Sequence, residues 1–258
     1  MREIGRPPAP SPSAASIDAR RLIIHRLVLW NIDLTLVDVA RVSRDAYAEA
    51  FRRVAGRPLV ALPKLVGASD SEIFFESLAL NDPAPGAHLP PDGDLLAGYL
   101  TELARSFAAR RGDLPDLGRA LPGAGQALAA VAGVPGLIQS VLTGSIRPNA
   151  EAKLAAFGLD RFLDLDIGGY GSDVYPKGAQ LLRSMAIAAE KYRVPLTAAD
   201  VVYLADSVRD VAAAAFGGVR CVGVATGRST MSELADAGAR PVLADLTDDR
   251  AVLAAIRQ

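Results

Sequence analysis

Short, continuously apolar runs recur along this chain, each followed by a stretch of helical periodicity, and this alternation constrains the fold most. The first run is Leu27-Val28-Leu29-Trp30; similar runs span 137–142, 201–204 and 221–225, with a shorter one at 241–243. Runs of this length without polar alternation fit strands covered on both faces, as in parallel sheets. Helical patterns follow at 149–157, 178–192, 209–216 and 230–237. The order predicts right-handed βαβ crossovers and an α/β fold built on a doubly wound parallel sheet.

One interval breaks the rhythm. About a hundred residues separate the first two strands, far more than a crossover needs. The gap reads as helices at 44–54, 71–80 and 95–110, punctuated by Pro- and Gly-rich stretches at 81–93 and 112–123. A helical cap over 42–121, inserted into an α/β core of 22–41 and 122–258, accounts for it. Residues 1–21, rich in Pro, Ala, Ser and Arg, are expected to form a disordered arm.

Composition removes several classes of function. A net charge of −1 over 258 residues leaves no surplus to neutralise a nucleic-acid backbone, although a local basic patch around a small anion stays compatible with it. Cys221 is the only cysteine and lies in an apolar run, so neither a disulfide within the chain nor a CxxC zinc site is available. No apolar run approaches the ~20 residues of a membrane span, and the arm lacks the apolar core of a secretory signal. A cytoplasmic protein, monomeric or homodimeric, is the expectation. His25 and His88 pair with no Ser or Cys in a triad pattern, and no GxxxxGK[ST] loop is present.

In a doubly wound sheet, functional groups collect at the carboxyl ends of the strands. The residues found there are Asn31-Ile32-Asp33-Leu34-Thr35 after the first strand, Thr143-Gly144-Ser145 after the second, and Asp206 with Asp210 after the third. Tyr175-Pro176-Lys177-Gly178 precedes the long helix before that third strand. Acidic groups at such a rim suit Mg²⁺, a hard cation that takes oxygen ligands. A Thr hydroxyl and adjacent backbone N–H groups suit phosphate oxygens. A lysine opposes the charge of a phosphoryl group. A blander reading stands beside this one: Asp33 and Asp206 as helix caps, Thr143 as a turn cap, and Lys177 as a solvated charge.

In order and spacing, Trp30–Val37, Val141–Ser145, Lys177 and Leu204–Asp210 resemble the four motifs of the haloacid dehalogenase superfamily. The stretch Gly67-Ala68-Ser69-Asp70-Ser71-Glu72-Ile73-Phe74 and the Leu121-Pro122-Gly123 hinge resemble its capped, phosphoglycolate phosphatase-like branch. The resemblance implies a phosphatase-type hydrolase with Mg²⁺ as cofactor and a small phosphorylated or anionic metabolite as its partner. It implies a nucleophile at position 31, Asp33 as general acid/base, and Thr143, Gly144 and Lys177 around the phosphoryl group. Positions 31, 33, 206 and 210 would form the metal site.

Position 31, however, is Asn. A neutral carboxamide oxygen is a poor nucleophile, and loss of a nucleophile typically costs roughly 10⁴–10⁶-fold in turnover. Leu34 and Ala205 replace residues that are usually Gly in the family. Three functions therefore stand: a Mg²⁺-dependent phosphomonoester hydrolase, a non-catalytic phosphate- or anion-binding pseudoenzyme or regulatory module, and a hydrolytic dehalogenase of a small acid.

Overall fold

The computed structural model describes residues 26–81, 94–172 and 176–258. The arm at 1–21, both histidines, Tyr175 and most of the 81–93 stretch lie outside them. Strand β1 (Arg26–Trp30) sits inside a five-stranded parallel sheet of order β4-β1-β5-β6-β7, with β4 (Leu137–Val141), β5 (Val201–Ala205), β6 (Arg220–Val224) and β7 (Val242–Leu243). Every strand pair in it is parallel. The chain leaves β1 toward β4 and then crosses back to β5, so the order reverses at β1. That reversal opens a crevice beyond its carboxyl end.

The apolar runs are two-faced, as expected of buried strands. Val28 and Trp30 enter one cluster, with Val141, Val202, Leu204 and Val222. Leu27 and Leu29 enter the other, with Leu142, Val201, Tyr203 and Cys221. The period of two sends neighbours to opposite faces, and both faces are covered by helices. The one polar atom of Trp30 is satisfied within its layer: Nε1 donates to Gln139 Oε1 at 3.1 Å.

The helices flanking the sheet are α5 (Ala124–Ala132), α6 (Arg147–Ala155), α7 (Lys177–Tyr192), α8 (Val208–Phe216), α9 (Met231–Asp236) and α10 (Asp249–Arg257). The expected helices correspond to α6 through α9 within a few residues. Two were not expected. The α5 segment AGQALAAVA shows little contrast between its faces, because small residues fill both. The α10 helix does carry a start signal, Asp248, whose side chain accepts from the Ala251 N–H at 3.0 Å.

The hundred-residue interval is helical. It holds α1 (Ala40–Ala55), α2 (Asp70–Leu80), α3 (Asp94–Ala108) and the short α4 (Leu114–Leu117). The insertion enters and leaves through a two-stranded antiparallel ribbon, β2 (Val37–Asp38) against β3 (Arg119–Ala120). Just beyond the ribbon, Gly123 has φ +81, and a Cβ there would lie 2.1 Å from the Leu246 backbone, so only Gly fits this turn. Among the described residues, no helix is long and apolar enough to cross a membrane.

Candidate active site

The rim beyond β1 is built by a tight turn. The N–H groups of Leu36 and Val37 both donate to Ile32 O, at 2.9 and 3.1 Å, and Leu34 N–H donates to Val37 O at 2.8 Å. The turn places Leu34 at φ 62, a left-handed conformation that costs a residue with a Cβ roughly 1–2 kcal/mol and that Gly adopts freely. Thr226 Oγ1 donates to Leu34 O at 2.7 Å and helps to hold it.

The turn leaves Asn31 buried, 5% exposed, at the floor of a cleft. Its Nδ2 donates to Asp33 O at 3.0 Å and to Asp206 Oδ1 at 2.9 Å. Its Oδ1 faces the Lys177 ammonium at 3.5 Å. The reverse assignment of the amide would set Oδ1 against two acceptors and Nδ2 against an ammonium, so the network fixes the orientation. Thr35 Oγ1 donates to the same Asp206 oxygen at 2.8 Å.

This arrangement decides the fit of a divalent cation. A cation at this position would take Asp33 O and Asp206 Oδ1, and the amide N–H groups of Asn31 already occupy both. Asp206 is 1% exposed and does not line the cleft. Its Oδ2 is buried without a hydrogen-bond partner, and burial together with the Asp210 carboxylate pushes its carboxyl group up to about 7. Among the described residues, no group of three or more His, Cys, Asp or Glu side chains is placed to hold a metal ion. As arranged here, the donor set does not fit Mg²⁺.

Asp210 sits apart from the position expected of a metal ligand. It is fully buried in the first turn of α8, where Lys177 donates to its Oδ1 at 2.5 Å and Tyr203 to the same oxygen at 2.8 Å. Ser207 Oγ donates to Oδ2 at 2.5 Å. Both oxygens are consumed, and what they hold is Lys177, which is buried rather than a solvated charge. Ser207, not Asp206, caps α8.

On the other wall, Thr143 and Gly144 line the cleft with Ser145. Thr143 Oγ1 accepts from the Ser145 N–H at 3.1 Å, so the turn-capping role is present at the cleft wall. Gly144 allows a close approach: a Cβ there would lie 2.0 Å from Ala68 O in the insertion. The Asp33 carboxylate turns toward this wall. Lys153 Nζ lies 2.8 and 2.7 Å from its two oxygens, and Ser145 Oγ donates to Oδ2 at 3.1 Å.

No pattern in the sequence singles out Lys153, which lies in the last turn of α6 and is 2% exposed. Tyr47 and Asp70 of the insertion also line the cleft. The Asp70 carboxylate accepts from Tyr47 Oη at 2.7 Å and from the Ile146 N–H at 2.8 Å, and burial raises its carboxyl group above the usual range. Glu72 and Phe74 serve the insertion itself. Glu72 closes a capping box with Ser69, and Phe74 stacks on Tyr99 at 4.3 Å.

The family model for haloacid dehalogenase-like hydrolases matches residues 28–215. The chain belongs to that family. A second HAD-hydrolase-like model matches residues 182–249. No curated protein sequence matches the chain. Among solved structures, this haloacid dehalogenase-like chain is similar to a predicted phosphatase from Clostridium acetobutylicum, with TM-score 0.67 and 18% identity over 90% of this chain and 99% of that one. It is similar to a hydrolase from Pseudomonas syringae, with TM-score 0.62 and 21% identity over 89% and 98%. CbbY from Rhodobacter sphaeroides in complex with phosphate gives TM-score 0.61 and 19% identity over 86% and 95%. These likenesses bear on the fold, a parallel sheet flanked by helices.

Proposed function

We propose that this chain binds a small phosphate monoester in the cleft over Asn31 without Mg²⁺ and without forming a covalent intermediate. The observation that carries the reading is the double donation by Asn31 Nδ2 to Asp33 O and Asp206 Oδ1. It supports a site in which the amide closes the cation position and position 31 offers no anionic oxygen to attack phosphorus. Hydrolytic dehalogenation needs the same nucleophile, so the same argument counts against it.

The anion-binding elements remain. Thr143, Gly144, Ser145 and Lys177 border the cleft, and the positive charge of Lys177 faces the Asn31 oxygen. A phosphoryl group there would take backbone N–H donors on one side and the ammonium on the other. The phosphate-bound CbbY has a similar fold, which is compatible with this reading. The helical insertion over 40–117 would act as a cap that excludes water from the cleft. Mg²⁺-dependent hydrolysis, the usual activity of family phosphatases, is assigned to the Asn31→Asp variant rather than to the native chain.

The test is calorimetric titration of inorganic phosphate into the native protein, once with EDTA and once with Mg²⁺. Equal binding in both is expected, together with no phosphate release from a panel of small phosphomonoesters. Asn31→Asp should release phosphate only when Mg²⁺ is added. Metal-dependent turnover by the native chain overturns the proposal, as does an absolute requirement for Mg²⁺ in binding.

A further inference from the structure

A second and larger cavity, of about 930 Å³, lies beside the cleft and shares Leu34, Ala40, Leu65 and Val66 with it as wall residues. Its floor is apolar, with Leu62, Pro63 and Val208 completing it, and its rim carries four cations: Arg44, Lys64, Arg209 and Arg228. They come from separate parts of the chain: α1, the segment between α1 and α2, the first turn of α8, and the loop after β6. All four are exposed.

Their counter-charges are few. Arg44, Lys64 and Arg228 form no ion pair or hydrogen bond among the described residues. Arg209 reaches Glu76 only at 3.7 Å, in a pair more than two-fifths exposed on both sides, which contributes little. The one acid in the cavity wall, Glu233, is engaged in a capping box, where its Oε2 accepts from Thr230 N–H at 2.7 Å. A chain of net charge −1 has thus gathered four positive side chains around one groove with almost no neutralisation. Such a concentration attracts anions into the low-dielectric groove between them.

We propose that this groove holds a second anionic group on the ligand whose phosphate occupies the cleft over Asn31. The ligand class is a small organic phosphate with a phosphate or carboxylate at its far end and an apolar or weakly polar body lying along Leu34, Leu65 and Val66. This inference rests on the phosphate reading of the cleft and adds the identity of the other end of the ligand.

The experiment compares straight-chain alkane-α,ω-bisphosphates of three to eight carbons with n-alkyl monophosphates of matched length, by calorimetry at low and at physiological salt. The native chain should prefer one bisphosphate length over its monophosphate by on the order of tenfold, and the preference should shrink as salt rises. In an Arg44→Gln/Arg228→Gln variant the preference should vanish, while affinity for inorganic phosphate stays unchanged. Equal binding of bisphosphates and monophosphates at every length overturns the groove, as does a preference that survives in the variant. Failure of inorganic phosphate to bind counts separately, against the cleft. The groove is then judged from the response of bisphosphate binding to the Arg44→Gln/Arg228→Gln change alone.

Discussion

The Lys153 ammonium lies 2.7 Å from Asp33 Oδ2 and 2.8 Å from Ser145 Oγ, so a lysine whose side chain is only 3% exposed locks the carboxylate that would otherwise swing freely at the cleft mouth. Lys153→Met removes these bonds and leaves Asp33 and Ser145 to water. Because the Asp33 side chain is 40% exposed, solvent recovers part of the loss, and a destabilisation of about 2 kcal/mol is expected in urea unfolding. In the Asp33→Asn background the same change should cost clearly less, since the partner's charge is gone. Equal costs in the two backgrounds would show that the pair is not coupled.

Asp206 makes the fold sensitive to pH. Burial raises its folded value to about 7, whereas an unfolded Asp titrates near 3.9. Between these values the folded chain binds more protons than the unfolded one. The contribution is therefore fully present below about pH 4 and is lost as pH rises through about 7. Asp206→Asn keeps an acceptor oxygen for Asn31 and Thr35 but does not titrate. Melting temperatures from pH 4 to 8 should show the variant gaining steadily on the native chain. Parallel curves would contradict the assignment.

Tyr47→Phe deletes the hydroxyl that donates to Asp70 at 2.7 Å and leaves a buried carboxylate oxygen without that partner. An orphaned buried acceptor typically costs roughly 1–3 kcal/mol. Chemical denaturation should place the variant in that range. A loss below about 0.5 kcal/mol would mean that water replaces the hydroxyl.

Gly144→Ala sets a methyl group 2.0 Å from Ala68 O. Neither partner is the flexible end of a side chain, so the insertion must shift away from the cleft wall. Phosphate affinity should fall at least tenfold, and stability by about 1–3 kcal/mol. Unchanged affinity would separate the Gly144 wall from anion binding.

The sheet was legible because its strands are buried on both faces, and a run such as Leu27 to Trp30 has no polar residue to confuse the period. The helices between β1 and β4 were legible from a gap too long for a crossover and from apolar periodicity at 44–54, 71–80 and 95–110. That Asn31, Asp33, Thr143 and Asp206 lie at one end of the sheet was legible because each follows a strand. What each side chain does was not. Lys177 and Asp210 were read as separate tools, yet they form one buried pair at 2.5 Å, a relationship between residues 33 apart that no local pattern announces. Tyr47 reaches the cleft from the insertion and Lys153 reaches Asp33 from the core helix α6, contacts that only tertiary packing creates. The amide closure at Asn31 depends on which way a carboxamide faces, and only its neighbours Asp206, Asp33 and Lys177 determine that.

The insertion is stitched to the core near the cleft. Asp70 N–H donates to Gly144 O at 2.8 Å, Ile146 N–H donates to Asp70 Oδ2 at 2.8 Å, and Ser71 Oγ donates to Gly171 O at 3.3 Å. Any movement of the insertion away from the rim must break all three. At about 1 kcal/mol each, they keep a separated state to roughly one molecule in a hundred. Opening the insertion therefore adds about 3 kcal/mol to any release route that requires it. Should the cleft hold an anion as proposed, amide exchange at Asp70 and Ile146 should slow when it binds, and its residence time should shorten in Ser71→Ala.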